Sequence, residues 1–271
     1  MAGKQAFFWE EDKSETAETV AELEQRYVLC PQNVKDAYLV YVVKNFVAKN
    51  SHSSVLVFCH TCRECQALAL MFKELGFGVG SLHSMISQRE RLNSLQRFRS
   101  GRIRILICTD VAARGLDIPS VDLVVNHNVP AVPKAYVHRV GRAARAGRAG
   151  GAVTFVTQYD VTLLRAVESH VRRELIELKV NDRKVALYVT EVLVAKKQAE
   201  MRLDEEKFGE KREINTRKQA ILDGMTPDEA DAFVERRKER RVKDGQRRVK
   251  RLEQVTVGKR SKNKGKNGGE Q

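Results

Sequence analysis

The chain has 271 residues, a formal net charge of +14 at pH 7 and a mean hydropathy of −0.43. This length accommodates one large domain with extensions or two small domains. No apolar run approaches the roughly 18 residues of a transmembrane helix, and the N-terminus lacks the apolar stretch of a signal peptide. These features predict an intracellular protein with no membrane partner and with reduced cysteines.

The positive charge is concentrated toward the C-terminus, where residues 236–266 contain 15 basic and 3 acidic side chains. A basic domain followed by a very basic tail favours a nucleic acid over a membrane as the polyanionic partner. The tail has two interpretations, a solvated segment without a specific role or an RNA-binding and nuclear-import segment. The density of arginine and lysine at 236–241 and 247–251 favours the second. Residues 258–271, rich in glycine, lysine and asparagine, are predicted to be disordered.

Short apolar runs alternate with helical patterns through the first two thirds of the chain. In chain order the pattern predicts a helix at 34–47, a strand at 55–59, a helix at 63–75, strands at 79–82, 103–108, 123–126 and 151–157, and helices at 88–99, 134–141, 163–178 and 184–208. Apolar strands that alternate with helices predict a mainly parallel α/β sheet covered on both faces. Ligands of such sheets bind at the carboxyl ends of the strands.

The segment 138–148 carries an arginine at every third position, namely Arg139, Arg142, Arg145 and Arg148. Guanidinium groups at this density repel one another unless an anion lies among them. Arginine presents a planar fork that matches phosphate oxygens and keeps its charge at any working pH. The segment is therefore predicted to bind phosphate.

A second unusual segment, 109–119, follows the predicted strand at 103–108 directly and combines acid, base and glycine in one loop. Together with 138–148 it resembles motifs V and VI of the DEAD-box RNA helicases of superfamily 2, in the same order and at the same spacing. The resemblance covers roughly residues 25–175 and matches the second of the two RecA-like domains of that family. It implies a RecA-like three-layer α/β sandwich with a mainly parallel sheet.

The resemblance implies specific roles at an ATP site. Arg142 and Arg145 match the catalytic arginines that reach the γ-phosphate across the cleft between the two domains, an effect worth about 10³–10⁵ in rate. Asp117 matches the acid near the ribose, while His138 and Arg139 match positions that hold motif VI and couple it to the other domain. The ATP-binding residues implied in this way are Gly115, Asp117, His138, Arg139, Arg142 and Arg145.

The resemblance also implies contacts to the RNA backbone. Thr109 offers a hydroxyl, Arg114 a cation and Gly115 room for close approach, while Gln88 and Arg91 match a Q-x-x-R element that touches RNA phosphates. Contacts of this kind bind RNA without sequence preference and are strongly weakened by salt.

Three features of a complete DEAD-box ATPase have no credible counterpart in this sequence: the Walker A lysine, the Mg²⁺-binding acid pair after a strand, and the adenine-reading glutamine. The chain therefore resembles the C-terminal half of such an enzyme. ATP and Mg²⁺ are the expected cofactors, with Mg²⁺ held mainly by the N-terminal RecA-like domain of the same parent, which is itself an expected partner. No metal site is expected in this half, and the isolated chain is expected to be inactive as an ATPase.

The sequence departs from the family pattern at Ala143, where the family usually has Thr or Ser, and at Ser84, where Gly is common after the histidine. Ala143 is the specific support for an alternative function, a non-catalytic RNA-binding or adaptor module that kept the helicase fold. Retention of Asp117, Arg142 and Arg145 argues against this alternative.

A narrower resemblance links side segments of the chain to a nucleolar branch of the family that acts in the maturation of small-subunit ribosomal RNA. It implies that the RNA is pre-ribosomal RNA, that pre-ribosomal proteins are further partners, and that the protein is located in the nucleus and nucleolus. The segments are 7–10, 25–27, 82–85, 126–128, 157–160, 210–215 and 217–219.

The predicted domain organisation has four parts. They are an interdomain linker at 1–24, the helicase C-terminal RecA-like domain at 25–180, a helical extension at 181–235, and a basic, partly disordered tail at 236–271.

Two local patterns are predicted to be structural. Residues 228–231 spell Asp-Glu-Ala-Asp, but Thr226, Pro227 and Glu229 suit an N-cap, a first helical position and a capping box. Cys59, Cys62 and Cys65 have metal-ligand spacing, yet no fourth cysteine completes a site, so small buried residues at a strand–helix junction are the favoured interpretation.

Overall fold

The computed structural model describes residues 23–49, 52–113, 116–143, 150–206, 208–237 and 239–240. These residues belong to two compact units, and the first unit ends at Glu206. Arg114, Gly115, Arg145 and Arg148, which the sequence singles out, lie outside the described residues, as do residues 258–271.

The first unit contains a seven-stranded sheet with flanking helices. Its strands are β1 (Glu24–Leu29), β2 (Val55–Cys59), β3 (Val79–Leu82), β4 (Ile105–Thr109), β5 (Leu123–Asn126), β6 (Gly151–Val156) and β7 (Ile176–Glu177). Its helices are a 3-10 turn (Gln32–Val34), α1 (Lys35–Lys49), α2 (Cys62–Glu74), α3 (Gln88–Arg99), α4 (Asp110–Ala113), α5 (Pro133–Val140), α6 (Val161–Val171) and α7 (Asp182–Glu205).

The strand order is β3-β4-β2-β5-β6-β1-β7, and every pair of neighbouring strands is parallel. The three adjacent strands β4, β2 and β5 are buried along their whole length, as a sheet covered on both faces requires. This arrangement confirms the predicted RecA-like α/β fold. Because all seven strands run in one direction, their carboxyl ends meet at one edge of the sheet.

The core on one face of the sheet joins alternate strand residues to the helices that cover them. Phe58 of β2 and Leu106 of β4 belong to one cluster with Phe98 of α3, Tyr136 of α5 and Val167 of α6. The intervening strand residues are buried as well, because the other face is also covered. Burial on this scale supplies the main driving force for folding.

Two parts of the sheet depart from the sequence-based expectation. Strand β1 was not predicted, yet it lies between β6 and β7, because backbone pairing along Glu24–Leu29 recruits a segment that alternates only weakly between apolar and polar residues. The helix predicted at 163–178 is shorter: α6 ends at Val171, and Arg172 adopts a left-handed conformation with φ of 56°. The chain then forms β7 instead of continuing the helix. Neither glycine nor proline marks this stop.

Helix α7 packs against both α1 and α2. Its N-cap is Asn181, whose side chain accepts a hydrogen bond from the backbone N–H of Lys184. Arg202 of α7 forms an ion pair with Glu74 of α2 at 3.1 Å, and Tyr38 of α1 donates a hydrogen bond to Asp182. The first residues of the predicted helical extension are therefore integrated into the first unit.

The second unit contains α8 (Glu210–Leu222) and a further helix that begins at residue 227. Its start confirms the predicted capping box, because the backbone N–H and the hydroxyl of Thr226 both donate to the Glu229 carboxylate at 2.9 Å. The Glu229 N–H donates in return to the Thr226 hydroxyl. The Asp-Glu-Ala-Asp sequence at 228–231 therefore starts a helix and does not follow a strand. None of the described helices is both long and apolar enough to span a bilayer.

Candidate functional site

The carboxyl edge of the sheet brings the two unusual sequence segments together. Strand β4 ends at Thr109, in register with Cys59 at the end of β2, and Asn126 at the end of β5 is in register with Phe58. Asp110 follows β4 directly, so its side chain starts at the same edge. Helix α5 begins beyond the end of β5, and the side chain of Arg139 near its end contacts Asp110, whereas the backbones of Arg142 and Ala143 pair with Val121, which precedes β5.

A buried arginine joins these segments. The Nε and Nη2 atoms of Arg139 donate to the two carboxylate oxygens of Asp110 at 2.6 and 2.7 Å. Its Nη1 atom donates to the side chain of Asn126 at 3.3 Å and to the backbone carbonyl of Asn128 at 2.9 Å. The guanidinium also lies 5.3 Å from the centroid of the Phe58 ring, within the range of a cation–π contact.

The Arg139 side chain is only 1% exposed, and its hydrogen-bonding capacity is directed at protein acceptors. A bidentate arginine–carboxylate pair has a fixed geometry. Arg139 therefore acts as an anchor that fixes α5 and the following turn against the ends of β4 and β5. The resemblance included it among the ATP-binding residues, but in this structure it has no surface left to contact a ligand.

Arg142 differs from Arg139 although only two residues separate them. It is half-buried, and its guanidinium makes no hydrogen bond or ion pair with any other described residue. Its backbone carbonyl accepts a hydrogen bond from the N–H of Val121 at 2.9 Å, which holds the turn in place. His138, one turn earlier on α5, is exposed. The anchor thus leaves Arg142 with donors that remain available to an anion.

Ala143 lies next to this arginine and is buried at 3% exposure. Its N–H donates to the carbonyl of Val140 at 2.8 Å, and its backbone forms an isolated parallel bridge with Val121. The turn is therefore closed by backbone hydrogen bonds at a position where the family usually carries a hydroxyl.

Asp117 lies at the surface, where its carboxylate accepts from Arg99 Nη2 of α3 at 2.7 Å. The same nitrogen also donates to the Asp117 backbone carbonyl. The Asp117 side chain is 92% exposed, so it is accessible to a hydroxyl-bearing ligand. Sequence reasoning missed Arg99, because a pairing eighteen residues apart depends on how α3 packs.

The Q-x-x-R element lies in the first turn of α3. Ser87 caps this helix in a capping box with Glu90, and Arg91 Nη1 donates to the side-chain oxygen of Gln88 at 3.1 Å. The Nε atom of Arg91 is buried and has no hydrogen-bond partner. A guanidinium with an unsatisfied donor at a helix N-terminus suits an anionic ligand. Thr109 is buried at the end of β4.

Sequence reasoning also missed a buried polar cluster beyond the end of β5. His127 Nε2 lies 2.8 Å from Asp36 of α1, and His127 Nδ1 lies 3.0 Å from Glu64 of α2. Lys196 of α7 forms an ion pair with the other Asp36 oxygen. Asn128 donates to Glu64 at 3.1 Å and accepts from the backbone N–H of His60 at the same distance. The polar Asn-His-Asn triplet after an apolar strand was the available signal.

Burial and hydrogen bonding act in opposite directions on this cluster. Burial alone would lower the pKa of His127, but the hydrogen bonds to Asp36 and Glu64 outweigh it, so the pKa is raised above 6.5. For Glu64, burial would raise the pKa, yet the hydrogen bonds from His127 and Asn128 lower it to about 2. The pKa of Asp36 is lowered for the same reasons, with Lys196 contributing. The cluster therefore favours charged forms despite its burial.

The cysteines at the strand–helix junction pack as small side chains. Cys59 and Cys65 are buried and donate to backbone carbonyls of β4, at Cys108 and Ile107. Cys62 is half-buried beside Ser84. Among the residues that the structure describes, no group of three or more His, Cys, Asp or Glu side chains is placed to hold a metal ion.

Comparisons with known proteins agree with the fold described above. The family model described as "Helicase conserved C-terminal domain" matches residues 35–147. The crystal structure of the E. coli DEAD-box protein SrmB bound to regulator of ribonuclease activity A is similar, with 31% sequence identity and a TM-score of 0.54. The match covers 92% of that chain and 59% of this one. The chain belongs to the DEAD-box RNA helicase family. It contains the C-terminal RecA-like domain of such a protein.

Two further relatives show how much of a DEAD-box protein is present. The probable ATP-dependent RNA helicase DDX49 of Mus musculus is 47% identical over 228 residues, which are 84% of this chain and 47% of that protein. The structure of S. cerevisiae Dbp5 bound to RNA and ADP BeF3 is 31% identical, with a TM-score of 0.55, and the match covers 67% of this chain and 48% of that one. The chain thus spans about half the length of the curated DEAD-box relatives that it matches.

Proposed function

We propose that this chain is the C-terminal half of an ATP-dependent RNA helicase and completes an ATP site shared with an N-terminal RecA-like domain. The observation that carries this proposal is the contrast between Arg139, buried and bonded within the protein, and Arg142, which the same anchor holds with its donors available. A positively charged group fixed in advance stabilises developing negative charge without reorganisation at the moment of reaction.

The residues present fit a nucleotide whose phosphate and ribose are contacted by this domain and whose remaining contacts come from the N-terminal domain. We expect Arg142 and Arg145 to act on the γ-phosphate, in the roles that the resemblance implies, and the exposed carboxylate of Asp117 to accept from a ribose hydroxyl. Arg139 positions this segment through Asp110. Bound ATP supplies the phosphoryl group whose transfer to water is the reaction, and Mg²⁺ is held mainly by the N-terminal half. His138 and Gly115 complete the set in the roles that the resemblance implies.

RNA binding is proposed for the carboxyl edge of the sheet and for the basic tail. Gln88 and Arg91 offer an amide and a cation with an unsatisfied donor, and Thr109, Arg114 and Gly115 contribute the motif V contacts. Dbp5 bound to RNA supports this assignment at the level of the family. In the tail, deletion of residues 236–271 is expected to weaken RNA binding and flatten its salt dependence, and an unchanged salt slope would contradict an RNA contact there.

The proposed RNA is pre-ribosomal RNA, with pre-ribosomal proteins as further partners and the nucleolus as the location. This part of the proposal is supported by the side segments that resemble a nucleolar branch of the family. Imaging of the tagged parent protein tests it: accumulation in nucleoli is expected, and exclusion from nucleoli would contradict it.

The experiment that tests the enzymatic function is an ATPase assay of the parent protein and of this chain alone, each with and without single-stranded RNA. RNA-stimulated hydrolysis is expected for the parent and none for the chain alone. The second candidate function, a non-catalytic RNA-binding or adaptor module, is favoured by Ala143 alone. It predicts that the parent binds RNA without hydrolysing ATP, so the same assay separates the two functions.

A further inference from the structure

The buried cluster around His127 requires a particular protonation state. Both ring nitrogens face carboxylate oxygens, Asp36 at 2.8 Å and Glu64 at 3.0 Å. A neutral imidazole has one N–H donor and one lone pair, so one of these contacts would set a lone pair against a carboxylate. Only the imidazolium donates to both. The geometry alone therefore indicates a histidine that carries a proton on each nitrogen.

Charge balance in the cluster supports the same state. Asp36 and Glu64 are compensated by His127 and by Lys196, which pairs with Asp36 from α7. Other charged groups that act on the cluster are Lys35 of α1, which opposes protonation of His127, and Glu200 of α7, which favours the charged form of Lys196. An uncompensated charge in a buried site is costly, so loss of the His127 proton leaves the two carboxylates under-compensated.

The cluster is continuous with the anchor of the arginine segment. Glu64 accepts from both His127 and the Asn128 side chain, and the backbone carbonyl of Asn128 accepts from Arg139 Nη1 at 2.9 Å. An unbroken series of hydrogen bonds thus leads from three helices, α1, α2 and α7, to Arg139 and the turn that carries Arg142.

We propose that His127, as an imidazolium clamped between Asp36 and Glu64, is a positioning residue that sets the Arg139–Arg142 turn against α1, α2 and α7. It touches neither nucleotide nor RNA and acts through Asn128 and Arg139. The inference rests on the proposed function only in treating Arg142 as the arginine whose position matters. Helix α7 then contributes to positioning the Arg139–Arg142 turn, because its Lys196 pairs with Asp36.

The direct test is NMR spectroscopy of the full 271-residue chain labelled with ¹⁵N at histidine and arginine, recorded between about pH 6 and 10. Both His127 ring nitrogens are expected to show imidazolium shifts at pH 7. As the pH rises and the His127 proton is lost, the Nε–H signal of Arg139 is expected to move with the same midpoint. A neutral His127 at pH 7, or an Arg139 signal indifferent to the His127 midpoint, would overturn the proposal.

Glu64→Gln is the main variant, because it removes one carboxylate while keeping the size of the side chain. The His127 midpoint is expected to fall by at least about one pH unit, and the Arg139 midpoint is expected to fall with it. Arg202→Gln is the matched control, since Arg202 also joins α7 to α2 but outside the cluster. It is expected to leave both midpoints unchanged. A fall for His127 that Arg139 does not follow would overturn the positioning role.

A readout in the parent protein connects the cluster to activity. Glu64→Gln is expected to move the alkaline limb of the ATPase pH profile to lower pH, and an unmoved limb would overturn the role in activity. The NMR experiment involves neither ATP nor RNA. An absence of ATPase activity in the parent would therefore count against the proposed function, while uncoupled NMR midpoints would count against this inference alone.

Discussion

Two sets of charged side chains come from the segments 110–117 and 127–142, and they differ in where their hydrogen bonds go. The buried set, which includes Arg139 and His127, directs them at protein groups. The second set, which includes the half-buried Arg142 and the exposed Asp117, keeps hydrogen-bonding capacity for solvent or a ligand. Arg139 and Arg142 come from one short motif, so a single basic motif can supply both a buried anchor and a cation with donors available to a ligand.

The largest difference between the two sets is expected in stability. Arg139→Met removes a buried cation and leaves Asp110 and two acceptors unpaired, so the free energy of unfolding should fall by about 3 kcal/mol. Urea denaturation monitored by circular dichroism measures this loss. Arg142→Met is the matched control and should stay within about 0.5 kcal/mol of the parent chain. Equal losses in both variants would contradict the distinction.

The buried set should also titrate abnormally in acid. The pKa of Glu64 is lowered to about 2 from an ordinary 4.5, so its contribution to stability is complete above pH 4.5 and is lost as the pH falls toward 2. The contribution is on the order of 2 kcal/mol. The free energy of unfolding at about pH 5 and pH 3 measures it. The loss on acidification should be smaller in Glu64→Gln, whereas Glu74→Gln, at a more exposed site on the same helix, should behave like the parent chain.

For the proposed RNA-binding residues Gln88 and Arg91, RNA binding is the expected readout. The double variant Gln88→Ala/Arg91→Ala should weaken binding of single-stranded RNA about tenfold and reduce the salt slope by about one, because one phosphate contact is lost. Fluorescence anisotropy at several salt concentrations measures both quantities. Arg97→Gln, an exposed cation at the other end of α3, is the control. A similar loss in the control would indicate general charge attraction instead of a specific contact.

The smallest effect is expected at the exposed pair of Arg99 and Asp117. Arg99→Gln removes an ion pair that is open to water, so the free energy of unfolding should change by at most about 1 kcal/mol. Thermal unfolding monitored by calorimetry would detect a larger loss of stability than this. A loss as large as that of Arg139→Met would show that exposure does not distinguish the two sets.

Much of the sheet was predictable from the sequence, because strands such as β2 and β5 are short apolar runs with clear boundaries. Strand β1 was not, since it depends on pairing with β6 and β7, far along the chain. The arginine motif pointed to phosphate chemistry. The sequence did not indicate that Arg139 is bonded within the protein while Arg142 keeps its donors available. This difference depends on Asp110 and Asn128, which come together only in the folded sheet.

The central claim is that the anchored turn presents Arg142 to an ATP site shared with an N-terminal domain. RNA-stimulated ATP hydrolysis by the parent protein, compared with its Arg142→Ala variant, tests it most directly. We expect the variant to bind RNA and to unfold like the parent, while its kcat falls about 10³–10⁵-fold. An unchanged kcat in the folded variant would contradict the claim.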